Sequence, residues 1–307
     1  MMNVEPCGGC TRWLSLAVVA WLAGCTAGGA GDSGDVEPPT GPHSSAGCGL
    51  AGSGGSQTFT VIIDGTERTY EVQFPTPYSP STPLALVFYF HWHGGTIADV
   101  LALDEPAIWD VPGAATSAVF AWPQGLPDAN GEPEWDLSCT GVDMAFFDAM
   151  VTAIGDSHCI DLHRVFSTGF SSGADISNAL ACCRGDVLRA VAPASGYGLG
   201  SASSCTSADT PAVRFSYGTA DTAYPQSELQ DVITWYRGEL GCTDAYDIVA
   251  VAPCSSTWTG DASTVTCACK SYHGCTKPMV ACEFVDMPHT HADGWREDTW
   301  AFFSSFP

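Results

Sequence analysis

The stretch RVFSTGFSSGAD, residues 164–175, decides the fold of this chain. Residues 164–168 (RVFST) have the composition of a strand, and residues 172–181 have the pattern of a helix. Between them lies Gly169-Phe170-Ser171-Ser172-Gly173, a Gly-x-Ser-x-Gly turn. Glycine is required where a turn is so sharp that a side chain would collide with the neighbouring backbone. The stretch therefore predicts a strand, a tight turn with Ser171 at its tip, and a helix.

Strands and helices alternate on both sides of this stretch. Strands are predicted at 58–64, 68–74, 84–90, 118–122, 189–193 and 212–217, and helices at 142–154, 226–239 and 294–304. Strands that alternate with helices form a mainly parallel sheet with helices on both faces. The fold class is therefore α/β, with a mostly parallel central sheet flanked by helices, and the folded domain is predicted to be residues 57–307.

The N-terminal 25 residues have the composition of a lipoprotein-type signal peptide. Arg12 precedes the apolar run at 13–23 (WLSLAVVAWLA), which is too short to span a bilayer. Leu22-Ala23-Gly24-Cys25 resembles the lipobox of bacterial lipoproteins, which implies cleavage before Cys25 and a diacylglycerol on its thiol. The alternative is an ordinary signal peptide with an incidental cysteine. We expect an exported protein, either lipid-anchored to the bacterial cell envelope or secreted.

Residues 26–56 are mainly Gly, Ser, Ala, Pro and Asp, which predicts a flexible linker because such a segment buries little apolar surface. The whole chain carries 34 acidic and 10 basic residues, for a net charge of −24. Nucleic acids and anionic headgroups bind to basic surfaces, so this charge argues against both as partners. We expect a monomer that contacts a membrane only through its N-terminal lipid.

The chain has 15 cysteines, of which three (Cys7, Cys10 and Cys25) precede the linker, so twelve remain. In an exported protein, an even number of this size predicts several disulfides whose connectivity the sequence does not determine. Cys267, Cys269 and Cys275 leave metal binding as an alternative. The prediction overall is that the protein uses no metal and no cofactor.

A serine nucleophile needs a base, and the base needs a carboxylate that orients it. In strand–turn–helix sites of this kind, the chain order is serine, acid, histidine. Asp221 directly follows the strand predicted at 212–217, so it is expected at the same sheet edge as Ser171. Downstream of Ser171 the candidate bases are His273, His289 and His291.

Several blocks together resemble secreted esterases of the polyhydroxybutyrate depolymerase and feruloyl esterase type, which form carbohydrate esterase family 1 within the α/β-hydrolase superfamily. The resemblance covers roughly residues 58–307. Besides 164–175, the matching blocks are FHWHGGTIAD (90–99), AWPQGL (121–126), VLRAVAPASG (187–196), YGTADTAYP (217–225) and CEFVDMPHTHADGW (282–295).

The resemblance implies a serine carboxylesterase that works through an acyl-enzyme. The nucleophile of the family falls on Ser171, its acid on Asp221 and its base on His289. The family usually has glycine before this histidine and often an aromatic residue two positions after it. Pro288 and His291 stand at those places, so His291 remains a competitor for the base.

An oxyanion hole needs two backbone N–H groups that point at the developing negative charge. One is predicted to come from Ser172, and the resemblance implies His93 for the other. The family commonly has His-Gly-Cys-Gly-Gly at this loop, whereas this chain has His91-Trp92-His93-Gly94-Gly95. The expected substrate is an ester, possibly polymeric: feruloyl or acetyl esters of plant polysaccharide, or a short-chain polyhydroxyalkanoate. The sequence does not decide among them.

Two other functions remain open at this stage. The pairs His91/His93 and His289/His291 have the spacing to chelate zinc from a strand, which makes a zinc-dependent hydrolase the second hypothesis. The third is a non-catalytic binding protein on a hydrolase fold.

Overall fold

The computed structural model describes residues 43–102, 108–200, 205–249, 267–292 and 294–307. The predicted signal peptide, Cys25 and the first part of the predicted linker lie outside these ranges. The elements in chain order are β1 (Gly55–Ile63), β2 (Thr66–Phe74), β3 (Leu84–Phe90), α1 (Ile97–Leu101), α2 (Ala114–Ser117), β4 (Ala118–Pro123), β5 (Leu126–Pro127), β6 (Pro133–Glu134), α3 (Val142–Ser157), β7 (Ile160–Phe170), α4 (Ser172–Cys183), β8 (Ala190–Ala194), β9 (Ala212–Gly218), α5 (Gln226–Glu239), β10 (Tyr246–Val249), β11 (Cys267–Tyr272), β12 (Met279–Phe284) and α6 (Trp295–Ser304).

Ten of the described strands form one sheet, in the order β1-β2-β4-β3-β7-β8-β9-β12-β11-β10. Neighbours from β4 to β12 pair in parallel, and the pairs on either side of this block are antiparallel. The carboxyl ends of the parallel strands therefore meet at one sheet edge, where β7, β9 and β12 end. The predicted α/β class with a mostly parallel central sheet is confirmed.

Strand β3 shows why the central strands are apolar throughout. All seven of its residues are buried. Phe88 points to one face of the sheet, where its ring lies 4.9 Å from Phe147 of α3, and Tyr89 points to the other, where its ring lies 5.9 Å from Trp295 of α6. Successive residues of a strand point to opposite faces of the sheet. Because helices cover both faces, every position of β3 needs an apolar side chain.

The strands and helices predicted from sequence are present, with ends shifted by a few residues, but β10, β11 and β12 were not predicted. All four residues of β10 are exposed, and β11 is mostly half-buried. These two strands carry no run of buried apolar residues, which is the pattern that identifies a strand in a sequence.

The folded part begins before the predicted boundary at residue 57. The backbone N–H of His43 donates a hydrogen bond to the Asp161 carboxylate (3.0 Å), and Cys48 forms a disulfide with Cys159. These contacts attach the end of the predicted linker to Cys159, just before β7, and to Asp161 at the start of β7. Composition did not reveal this because a disulfide and backbone hydrogen bonds hold the segment, rather than burial of large apolar side chains.

Disulfides confirm the prediction from the cysteine count and indicate an exported protein, because they persist in oxidising compartments. The metal alternative is wrong for Cys269 and Cys275, which are both in disulfides. In the ranges described, no helix is long and apolar enough to cross a membrane. The bonds found there are Cys48–Cys159, Cys139–Cys183, Cys182–Cys205, Cys242–Cys275 and Cys269–Cys282.

Candidate active site

Ser171 occupies a strained turn between β7 and α4. Its backbone angles are φ 56° and ψ −125°, a conformation that residues other than glycine rarely adopt. The turn is held by hydrogen bonds on both sides: the Ser171 N–H donates to the Ala194 carbonyl (3.0 Å), and the Ser171 carbonyl accepts from the N–H of Asp175 (3.1 Å). The surrounding structure therefore fixes the serine at the carboxyl end of a central strand.

The two glycines of the turn are sterically required. A Cβ atom at Gly173 would lie 2.1 Å from the carbonyl oxygen of Phe90, the last residue of β3. A Cβ atom at Gly169 would lie 2.5 Å from the carbonyl oxygen of Gly173. Any larger residue at either position would force the backbone apart.

Three of the predicted site residues form one hydrogen-bonded chain. His289 Nε2 lies 2.9 Å from Ser171 Oγ, and His289 Nδ1 lies 2.8 Å from Asp221 Oδ2. The side chain of Asp221 is fully buried, while that of His289 is 26% exposed. When Nδ1–H donates to Asp221, the Nε2 lone pair faces the serine hydroxyl. The arrangement is able to remove a proton from Ser171.

His291, the competitor for the base, lies elsewhere. Its ring packs against Phe170, with centroids 4.2 Å apart, and stacks on Trp295 at 4.7 Å. Its Nε2 faces the hydroxyl of Tyr89 at 3.5 Å. Burial, reinforced by the positive charge of Arg296, lowers the pKa of His291 to about 3. His291 is therefore a neutral packing residue, and the structure brings His289 to Ser171 instead.

Known proteins resemble the chain over more than half of its length. It is 34% identical over 187 residues to feruloyl esterase D of Neurospora crassa, a match that covers 58% of this chain and 61% of that protein. It is 30% identical over 215 residues to the probable feruloyl esterase C of Aspergillus niger, covering 69% of this chain and 73% of that protein. The chain belongs to the feruloyl esterase family.

Among solved structures, the acetyl xylan esterase from Aspergillus awamori has the same fold as this family member. The TM-score is 0.64 at 18% sequence identity, and the superposition covers 81% of this chain and all of the other. The α/β-hydrolase fold is thereby shown. No protein-family model matches the chain.

The predicted oxyanion loop of this family member is held in place by His91. The buried His91 ring accepts a hydrogen bond at Nε2 from the Gly125 N–H (2.9 Å) and donates from Nδ1 to the Trp92 carbonyl (2.8 Å). Burial lowers the pKa of His91, so the ring is neutral and keeps this pattern. The loop adjoins the nucleophile turn, because a Cβ atom at Gly173 would lie 2.8 Å from the His91 carbonyl oxygen.

The two predicted oxyanion donors are the N–H groups of Ser172, in the nucleophile turn, and of His93, in the neighbouring loop. Ser172 is the first residue of α4, where backbone N–H groups have no partner within the helix. His93 follows Trp92 in the loop, and its half-exposed side chain lies 3.4 Å from the Asp128 carboxylate. The roles of the Ser172 and His93 N–H groups remain predictions.

The zinc hypothesis requires histidines that share a metal ion. Of the residues described, the one group of three or more potential ligands within reach of a common ion is Cys139, Cys182 and Cys183. All three cysteines are in disulfides. The histidines of the two His-x-His pairs instead have the separate partners given above, so the site geometry does not support a zinc hydrolase.

Two polar residues near Ser171, Tyr224 and Asp175, carry no motif in the sequence that singles them out as site residues. The hydroxyl of Tyr224 donates a hydrogen bond to Asp175 Oδ2 (2.7 Å), and the same phenol lies near the Ser171 hydroxyl. Burial raises the pKa of Asp175 to about 6, against the opposing effect of hydrogen bonds such as that from the Gly198 N–H (2.7 Å). The signal that could have identified Asp175 is an acidic side chain in the first turn of α4, a helix whose residues are all buried.

Proposed function

We propose that this chain is a serine hydrolase that cleaves carboxylic ester bonds through an acyl-enzyme. The observation that carries the proposal is the unbroken hydrogen-bonded chain from Asp221 through His289 to Ser171, at a strained turn above a parallel sheet. The relatives named feruloyl esterase support the same conclusion. The chain spans 61% of the length of the Neurospora relative, so the activity is proposed from the site as well as from the likeness.

The first half-reaction forms the acyl-enzyme. Ser171 Oγ attacks the ester carbonyl carbon while His289 Nε2 takes its proton, and Asp221 stabilises the imidazolium that results. The carbonyl oxygen becomes negative and is stabilised by the N–H groups of Ser172 and His93 and by the amino-terminal end of α4. When the carbonyl re-forms, the ester C–O bond breaks and His289 gives its proton to the departing alcohol.

The second half-reaction releases the acid. Water attacks the acyl carbon, His289 takes a proton from the water, and the bond to Ser171 Oγ breaks as that oxygen regains a proton. In each half-reaction, His289 thus first takes a proton from the attacking hydroxyl group and then gives it to the departing oxygen.

Replacement of Ser171 by alanine tests the proposal. Hydrolysis of p-nitrophenyl acetate should fall by at least about 10⁴-fold, because the group that forms the covalent intermediate is lost. A fluorophosphonate should label the native enzyme and not S171A, and the melting temperature should show that S171A remains folded. A fully active S171A would disprove the proposal. A binding protein without activity would retain affinity for its ligand, with no labelling and no turnover in the native chain.

Feruloyl esters are the proposed substrate class. The names of the relatives support it, and so does the aromatic ring of Phe170, which lies 4.7 Å from the ring of His289. A panel of methyl ferulate, acetylated xylan and polyhydroxybutyrate should give the highest kcat/KM with methyl ferulate. Faster cleavage of either other substrate would replace this assignment while leaving the ester hydrolase proposal intact.

Anchoring through a lipid on Cys25 is a separate proposal, supported by the sequence of residues 13–25. In a bacterial host that processes lipoproteins, the native chain should partition into detergent and gain the mass of a diacylglycerol on Cys25. Replacement of Cys25 by alanine should abolish both. An unmodified mature N-terminus would show an ordinary secreted protein.

A further inference from the structure

Tyr224 and Asp175 lie beside the proposed nucleophile, but the mechanism above does not use them. Tyr224 follows β9 and is half-buried, whereas Asp175 is buried in the first turn of α4. The loop over Asp175 comes close because two of its residues are glycines: a Cβ atom would lie 2.9 Å from Asp175 Oδ1 at Gly196, and 3.0 Å from the Asp175 side chain at Gly198. The close packing of this loop fixes the position of the Asp175 side chain, which in turn holds Tyr224.

The direction of the hydrogen bond between them follows from the other partners. Asp175 accepts hydrogen bonds from the backbone N–H of Gly198 at Oδ1 and from the hydroxyl of Tyr224 at Oδ2. A carboxylate that is ionised has no proton to give, so the phenol must be the donor. Burial, followed by the charge of Asp175, raises the pKa of Tyr224, and the phenol stays protonated. The negative charge of Glu134 also raises the pKa of both members of the pair.

With its single proton directed at Asp175, the Tyr224 oxygen presents only lone pairs to its remaining neighbours. One neighbour is Ser171, whose own proton is directed to His289. A substrate group that lies next to Tyr224 therefore meets a hydrogen-bond acceptor. A hydroxyl group is the donor that complements it.

The position of Tyr224 indicates which half of the ester it meets. Its ring lies 5.7 Å from the ring of His289, and its phenol lies near the Ser171 hydroxyl. In the proposed mechanism His289 delivers a proton to the leaving alcohol, so this alcohol must lie against His289 and Ser171. A side chain that adjoins both residues borders the alcohol rather than the far end of the acyl group.

We propose that Tyr224, held by Asp175, is a specificity-determining residue that accepts a hydrogen bond from a hydroxyl on the alcohol half of the ester. This inference rests on the proposed serine esterase activity. It selects esters of polyhydric alcohols, in which a free hydroxyl lies next to the ester bond, over esters of simple alkanols.

Four acetate esters test the inference in two pairs of matched size. 2-Hydroxyethyl acetate is compared with propyl acetate, and 2-methoxyethyl acetate, which has an acceptor but no donor, with butyl acetate. All four esters form the same acetyl-enzyme. Differences in kcat/KM between them therefore arise in the steps before the alcohol leaves. One hydrogen bond corresponds to roughly a three- to tenfold preference for 2-hydroxyethyl over propyl, and no such preference is expected for 2-methoxyethyl over butyl.

Tyr224→Phe should reduce the 2-hydroxyethyl preference to about one while the rate with propyl acetate changes little. The matched control is Tyr197→Phe, since the Tyr197 hydroxyl is buried without a hydrogen-bond partner and its ring packs 5.4 Å from that of Tyr224. The control should keep the native preference. A native preference of one, or an unchanged preference in Y224F, would overturn the inference and leave the ester hydrolase proposal standing. Failure of the native chain to hydrolyse any ester would overturn both.

Asp175→Asn provides an independent readout if Y224F is poorly folded. The backbone N–H of Gly198 holds the amide oxygen of asparagine, so its NH₂ group should face Tyr224 and donate to the phenol oxygen. The phenol proton then turns toward the substrate. The acceptor-only ester should now be favoured, with 2-methoxyethyl acetate cleaved roughly threefold or more faster than butyl acetate. An unchanged ratio for both pairs in D175N would contradict the proposed hydrogen-bond direction.

Discussion

Two buried carboxylates reach Ser171, each through one other side chain. Asp221 Oδ2 lies 2.8 Å from the imidazole of His289, and Asp175 accepts from the phenol of Tyr224 at 2.7 Å. The difference lies in the group between carboxylate and serine. An imidazole gains and loses a proton near neutral pH, whereas a phenol beside a buried carboxylate keeps its proton. The Asp221–His289 arm can therefore move protons, whereas the Asp175–Tyr224 arm presents a hydrogen-bond acceptor near the serine.

The largest expected effect concerns the base of the first arm. Replacement of His289 by alanine should lower kcat for p-nitrophenyl acetate by about 10⁴- to 10⁶-fold, because no other group takes the proton of Ser171. The matched variant is His291→Phe, which keeps a flat ring between Phe170 and Trp295. We expect it to retain activity within about tenfold of the native enzyme. Equal losses in the two variants would contradict the assignment of the base.

The carboxylates themselves are compared next. Asp221→Asn should lower kcat by about 10⁴-fold, since asparagine neither selects the correct His289 tautomer nor stabilises the imidazolium. Asp175→Asn should change hydrolysis of p-nitrophenyl acetate by no more than about tenfold, because its partner moves no proton in the reaction. Steady-state kinetics on the two variants, with circular dichroism to verify folding, provides the measurement. Comparable losses would mean that Tyr224 and Asp175 belong to the catalytic machinery.

The smallest expected effect is on stability rather than rate. The pKa of Asp175 is raised from 3.8 to about 6, so the folded state binds its proton more tightly than the unfolded state does. Stability from this group is fully present below pH about 4 and is lost as the pH rises through about 6, and the shift corresponds to about 3 kcal/mol. D175N lacks this titration. The native chain should therefore lose stability relative to D175N between pH 4.5 and 7.5 in urea unfolding, and a constant difference would show that Asp175 does not titrate in this range.

The sequence predicts the Asp221–His289 arm better than the Asp175–Tyr224 arm, because the residue patterns that indicate the first are local in the chain. The nucleophile turn is local: two glycines, a serine, a strand and a helix occur within 20 residues and are sufficient to place Ser171. Asp221 follows from its position after an apolar strand. Tyr224 and Asp175 are 49 residues apart, and neither carries a motif, so their hydrogen bond becomes evident only when β9 and α4 are placed together.

The same division applies to the histidines and to the start of the domain. His289 and His291 are two residues apart, and sequence left both as candidate bases. Only packing separated them, by stacking His291 on Trp295 and leaving His289 partly exposed beside Ser171. In a similar way, a disulfide to Cys159 attaches Cys48 to the domain, although the surrounding composition indicated a linker.

The sequence by itself determined the α/β class, the turn that presents Ser171, the disulfide-rich exported character and the position of the Asp221 carboxylate after a central strand. These properties depend on local backbone sterics, on apolar runs and on composition, which a linear pattern contains. The tertiary structure decided which histidine meets the serine, how the cysteines pair, and that a phenol and a second carboxylate border the site. Those properties depend on contacts between segments distant in the chain, which exist only once the sheet edge has brought the loops together.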